Sequence, residues 1–166
     1  MSTNPGTLPP DLAELVDDFS AVGPKDRLQL LLELSRELPG LPERYEGHLD
    51  QMERVDECQS PLFLAVELEG GASGAGDGGA GDGGGAAEPV VRLFFRAPPE
   101  APTTRGFAGI LHTGLDGQPV SAVLGVPDDI PFRIGLSQAV SPLRMRGMVA
   151  MLARIKRQIR DKSAGS

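Results

Sequence analysis

Residues 55–69 read Val55-Asp56-Glu57-Cys58-Gln59-Ser60-Pro61-Leu62-Phe63-Leu64-Ala65-Val66-Glu67-Leu68-Glu69. The stretch changes character at Pro61. Before it the chain is acidic and irregular; after it, Leu62 to Leu68 is an apolar run of strand formers, closed by Gly70-Gly71. This predicts the first strand of a sheet, with Cys58, the only cysteine of the 166 residues, on the loop that feeds it. A lone cysteine is often no more than a small buried hydrophobe. Glu57, Gln59 and Ser60 do not suit a core, however, and they place Cys58 at a polar loop apex where a partner can reach it.

Downstream, Val90 to Ala97 (Val-Val-Arg-Leu-Phe-Phe-Arg-Ala) reads as a second strand, and with Leu62 to Leu68 it predicts an antiparallel hairpin. Between them lie residues 70–87, where ten of eighteen are Gly. That composition carries too little apolar surface to offset the entropy of ordering, so a flexible loop is expected. A phosphate-cradling loop is the sharper alternative, but no Gly-Lys-Ser/Thr follows, no helix starts directly after it, and its charges are Asp77 and Asp82.

Helices are expected on both sides of the hairpin. Residues 1–6 are read as flexible. Thr7 is placed as the cap of a helix with Pro9 and Pro10 in its first turn and Leu12, Leu15, Val16 and Phe19 on one face. After Ala21-Val22-Gly23-Pro24, a second helix runs from Lys25 to Leu38. Six leucines (28, 30, 31, 32, 34 and 38) cover so much of its circumference that it should lie largely buried. The connection over 39–57 is longer than usual and leads to Cys58.

Past Pro98-Pro99-Glu100-Ala101-Pro102, Thr103 or Thr104 is expected to cap a helix through Leu111, in which Gly106 and Gly109 mark close packing. A short helix over 117–124, a turn over 126–129 and a helix from Ile130 to Val140 follow. The last helix starts at Ser141-Pro142 and runs to about Lys162, with Leu143, Met148, Met151, Leu152, Ile155 and Ile159 inward. The sum is a single α+β domain over 1–166: a short antiparallel β-sheet packed against several helices, with a third strand left unplaced.

Composition narrows the function. At this length about two-thirds of the unfolded surface can be buried without a disulfide. One cysteine excludes an intramolecular bridge, and with no N-terminal apolar run the expected location is a reducing cytoplasm, with no membrane contact. The net charge of −7 argues against nucleic acid. The charge is polarised: residues 11–57 hold thirteen acids and five bases, residues 141–166 seven bases and one acid. Such asymmetry can guide docking to a protein, although a solvated charged face is the commoner cause.

Several segments carry a resemblance. Val55-x-x-Cys58-Gln59-Ser60 before an apolar strand resembles the signature of the SufE family. So do Lys25-Asp26-Arg27-Leu28 with Leu38-Pro39, Thr104-Arg105-Gly106-Phe107-Ala108-Gly109-Ile110, and Ser141-Pro142-Leu143-Arg144-Met145-Arg146-Gly147-Met148. Outside the glycine-rich insert the likeness spans roughly residues 8–161. It implies a SufE/IscU-like fold and a sulfur acceptor that works with a SufS-like cysteine desulfurase, loads persulfide sulfur on Cys58 and passes it to a SufBCD-like iron–sulfur scaffold. That is a carrier and activator of the desulfurase rather than a stand-alone enzyme. It also implies that pyridoxal phosphate belongs to the partner, that no cofactor or metal resides in this chain, and that Arg144 lies near the cysteine as a stabiliser of thiolate or persulfide. The chain departs from the pattern at Glu57, where many members have Gly, and at Pro98-Pro99-Glu100, where many have an Asp-Ser-Asp-like turn. Glu57 disfavours a thiolate at Cys58 by like-charge repulsion.

Other chemistries lack parts. A cysteine hydrolase needs a histidine beside the thiol, and His48 and His112 read as a loop residue and a helix-end residue. A zinc or cluster site needs more thiolate and imidazole ligands than one Cys and two His. The alternative of a different class is a protein-interaction adaptor whose cysteine is structural.

Overall fold

The computed structural model describes residues 8–58, 61–70 and 88–164. The elements that precede the sheet are α1 (Pro10–Ser20) and α2 (Pro24–Glu37). The sheet is built of β1 (Glu53–Arg54), β2 (Phe63–Glu69) and β3 (Val90–Arg96), and is followed by α3 (Pro102–Leu115), α4 (Val120–Leu124), α5 (Ile130–Arg133) and α6 (Pro142–Ala164). The order is β1-β2-β3, antiparallel throughout. Phe63 lies opposite Arg96 and Glu69 opposite Val90, so the predicted hairpin is present. The unplaced third strand is β1, which pairs Glu53 with Leu64 and Arg54 with Phe63. Two residues give no periodic signal, which is why the sequence hides it.

One face of the sheet, with Leu64, Val66, Val91, Leu93 and Phe95, joins the main core against α3 and α6. The other face is covered by the 39–52 connection. Tyr45 and Met52 pack there on Ala65 and Phe94, while the Arg44 guanidinium stacks on the Tyr45 and Phe94 rings and pairs with Glu67 at 2.7 Å. With both faces of β2 covered at its centre, an unbroken apolar run follows, rather than the alternation of a half-exposed strand.

Apart from shifted ends of α3, which runs on to Leu115, and α4, which starts at Val120, the helices differ from the sequence reading in four respects. First, α2 is not largely buried: of its residues only Leu31 and Ser35 are fully enclosed, and Leu28 is exposed. It packs by one face, mainly on α3, and the closeness of that packing is set by the glycines. A Cβ on Gly106 would stand 2.6 Å from Leu31 Cγ, and one on Gly109 2.6 Å from the Leu34 carbonyl oxygen. Second, α3 starts at Pro102, whose fixed φ suits a first turn, and Thr103 and Thr104 lie inside the helix instead of capping it. Third, the helix expected over 130–140 breaks at Gly135, whose φ of +89° leaves the helical region; α5 ends at Arg133 and a short turn over Leu136–Gln138 follows. The Arg27 guanidinium fills the space where a Gly135 side chain would be. Fourth, Leu143 points outward, and Met145 takes the inward place instead.

The remaining expectations for the last helix hold: Ser141 Oγ accepts from the Arg144 N–H at 3.3 Å, and Met148, Met151, Leu152, Ile155 and Ile159 are buried. The Thr7 cap, the flexible 1–6 segment and the insert beyond Gly70 lie outside the described residues. Among the described residues no helix is long and apolar enough to cross a membrane.

Candidate functional site

Cys58 ends a single 3-10 turn, Asp56–Cys58, that carries the chain from β1 to β2. The turn is anchored at its base, where the Val55 N–H donates to the Leu62 carbonyl at 2.9 Å and the Cys58 N–H to the Val55 carbonyl at 3.3 Å. Val55 and Leu62 are buried beneath it. Above it lies α6. The thiol donates to the Gly147 carbonyl at 3.8 Å, and a Cβ on Gly147 would stand 3.1 Å from both Cys58 Cα and Sγ. Only a glycine lets helix backbone and cysteine turn approach so closely. The polar apex expected from the sequence is therefore a correction: Cys58 is 7 % exposed, because its sulfur faces the helix while Asp56 and Glu57 take the solvent side.

That position sets the chemistry of the thiol. Burial pushes its pKa up to about 12; the Glu57 carboxylate adds to the rise and the Arg154 cation opposes it. In this conformation the sulfur is a neutral S–H at pH 7, and a neutral thiol is a poor nucleophile.

Glu57 is half exposed, and its own backbone N–H together with Arg154 holds its carboxyl below the usual range. Arg154 reaches Glu57 Oε1 at 2.9 Å and Glu53 Oε2 at 3.0 Å. Glu53 also accepts from Arg157 and, at 2.9 Å, from Gln158. A stripe of α6 formed by Gly147, Arg154 and Gln158 thus holds the cysteine arm by close approach, charge and hydrogen bonding in turn.

Arg144 is exposed in the first turn of α6, and the charges that act on the sulfur among the described residues are those of Glu57 and Arg154. Gln59 and Ser60 lie outside the described residues. His48 is exposed, and His112 sits in the last turn of α3 with Asp116 3.9 Å away. Beside the turn runs an apolar groove of about 730 Å³, bordered by Asp56, Glu57 and Arg146 and by the exposed Phe132 and Leu143.

The sequence reading missed Arg154 because it took the seven bases of residues 141–166 as one group, a docking or solvated charged face. A signal was present. Glu53 and Glu57 precede Cys58, four residues apart, and Arg154, Arg157 and Gln158 recur at helical spacing on one face.

A profile of the SufE family, described as an Fe-S metabolism associated domain, matches residues 13–159. The chain belongs to the SufE family. A SufE-like protein of Mycobacterium tuberculosis strain H37Rv, named as uncharacterized, is 51% identical over 162 residues, which cover 96% of this chain and 98% of that protein. SufE-like protein 1, chloroplastic/mitochondrial, of Arabidopsis thaliana is 25% identical over 146 residues, covering 87% of this chain and 33% of that longer protein. Among solved structures, the solution structure of a hypothetical protein from Thermus thermophilus superposes with a TM-score of 0.75 at 36% identity, covering 96% of this chain and 100% of the other.

Two of the SufE-like segments outside the cysteine turn hold the fold together. The Arg27 guanidinium donates to the Phe19 carbonyl at 2.7 Å and the Gly135 carbonyl at 3.2 Å, and Arg105 ties the Ser35 and Ala97 carbonyls at 3.2 and 2.8 Å. Two SufE arginines are thus clips between elements far apart in sequence.

Proposed function

We propose that this SufE protein is a sulfur acceptor: Cys58 takes the terminal sulfur from a cysteine desulfurase persulfide and passes it to an iron–sulfur assembly scaffold. The step balances without an external oxidant. A Cys58 thiolate attacks the outer sulfur of the donor R–S–SH, the donor S–S bond breaks, R–S⁻ leaves, and Cys58 carries S–SH. Pyridoxal phosphate is assigned to the desulfurase, SufS-like in our reading, and the receiving scaffold is SufBCD-like. The reducing cytoplasm is the compartment that suits a free thiol.

The observation that carries this reading is the placement of the chain's only cysteine on one short turn, bonded at its base and held to α6 by the close approach of Gly147, a weak S–H contact and an ion pair whose Glu57 side is half exposed. Such a turn can lift from the helix without disturbing β2 and β3. Lifting it restores water to the sulfur and removes the largest cause of its raised pKa. The apolar groove beside it, with Phe132 and Leu143 each about half exposed, offers a partner a surface to grip while the turn opens. Arg144 at the start of α6 is proposed to meet the persulfide anion once the turn is out.

The low exposure of Cys58 favours a second reading, an adaptor whose cysteine is structural. The two separate on a Cys58→Ser variant in a desulfurase turnover assay. Loss of stimulation with an unchanged melting temperature supports the acceptor, and full stimulation supports the adaptor.

A further inference from the structure

The cysteine arm is fastened to α6 by an arginine that bridges two glutamates of that arm, and the two ends of the bridge are unequal. At one end Glu53 sits in β1, accepts from Arg154, Arg157 and Gln158, and is about one-quarter exposed. At the other, Glu57 is 46% exposed and has Arg154 as its side-chain partner among the described residues. Exposed single pairs are weak and screened by salt, while a network around a partly buried carboxylate persists. The Glu57 end lets go first.

We propose that the Arg154–Glu57 pair is a releasable clasp on the Cys58 turn, and that when Glu57 withdraws, Arg154 stays anchored on Glu53 and becomes the cation facing the sulfur-bearing segment. Arg154 is thus a positioning residue. One ion pair both holds the turn shut and masks the positive charge that would stabilise a sulfur anion. The other charged groups around the turn have partners or positions of their own: Asp56 pairs with Arg54 at 3.1 Å, Arg157 with Glu53, and Arg146 lies along the groove. A partner that draws Glu57 away, by offering it a basic side chain, would open the turn and unmask Arg154 in one movement. The inference rests on the sulfur-acceptor reading only for its biological use, since the clasp is read out without any desulfurase.

The experiment uses the full-length protein and two readouts. Amide hydrogen exchange of residues 55–62 reports opening, and the pH profile of iodoacetamide alkylation at Cys58 reports the charge at the sulfur. In Glu57→Gln, exchange speeds up and alkylation at neutral pH rises about tenfold, with the apparent pKa lowered by about one unit. In Arg154→Lys, which keeps the charge but not the fork that spans two carboxylates, exchange also speeds up and alkylation rises. In Arg154→Gln, exchange speeds up but alkylation gains less than in Glu57→Gln, because the cation is gone. Added salt accelerates exchange in the wild type and not in Glu57→Gln, which keeps the test decisive even if an Arg154 variant fails to fold. Wild-type exchange and alkylation in Glu57→Gln would overturn the clasp. Equal alkylation gains in Glu57→Gln and Arg154→Gln would overturn the unmasking and leave a plain tether. Neither outcome bears on whether Cys58 accepts sulfur.

Discussion

Gly147→Ala probes the contact on which the closed site depends. The new methyl carbon would stand 3.1 Å from Cys58 Cα and Sγ and 3.5 Å from the Glu57 carbonyl oxygen, whereas comfortable carbon contacts lie near 3.5–4.0 Å. Something must move by several tenths of an ångström. α6 is long and packed along its length, while the turn is short and weakly held, so the turn is the part that yields. Overpacking of this kind costs about 1–3 kcal/mol, and removing a glycine from a helix interior returns about 1 kcal/mol. The net loss of global stability is then at most about 2 kcal/mol. Locally the full clash counts, because the helix gains in both the closed and open forms while the clash exists only in the closed one. A shift of about 1–3 kcal/mol in the opening equilibrium is about 5- to 150-fold, and alkylation of Cys58 near pH 8 should rise by a factor in that range. Thermal melting is expected to change by only a few degrees. Unchanged or slower alkylation with a normal melt would refute the reasoning, since the turn would then not rest on the glycine.

Three further expectations follow from the same geometry. Gly106→Ala should lower stability by about 1–3 kcal/mol despite the better helix former, because its Cβ meets Leu31 at 2.6 Å; a melting temperature at or above wild type would count against close α2–α3 packing. Arg44 and Tyr45 hold the Glu67 carboxyl below its ordinary value of 4.5, so its stabilisation is full above that pH and lost as pH falls through the lowered value; Glu67→Gln should flatten the acid side of the stability curve in urea titrations. Arg144→Ala should leave alkylation of Cys58 in the isolated protein unchanged while slowing sulfur acceptance from the desulfurase, and a shifted alkylation profile would place Arg144 at the closed site after all.

The fold is most legible in the sequence where a local pattern has one physical meaning. The β2–β3 hairpin followed from two strand-forming runs, and Gly106 and Gly109 announced close packing because nothing else explains glycines in a helix interior. Patterns with two meanings misled. The leucines of α2 suggested full burial, yet a helix that packs by one face leaves Leu28 in water. Polar neighbours around Cys58 suggested an open apex, yet in a tight turn adjacent side chains face opposite ways, and the sulfur can be buried while Glu57 is not. Arg154 left only a weak trace, its helical spacing with Arg157 and Gln158, because it meets the cysteine arm in three dimensions, nearly one hundred residues along the chain from Glu57.

The most direct test is the intact mass of the protein after incubation with a SufS-like desulfurase and cysteine, followed by peptide mapping. The sulfur-acceptor account predicts the mass of one or more added sulfur atoms on Cys58, removable by a reducing thiol and absent from Cys58→Ser. Desulfurase turnover stimulated by a chain whose Cys58 stays unmodified throughout would contradict it.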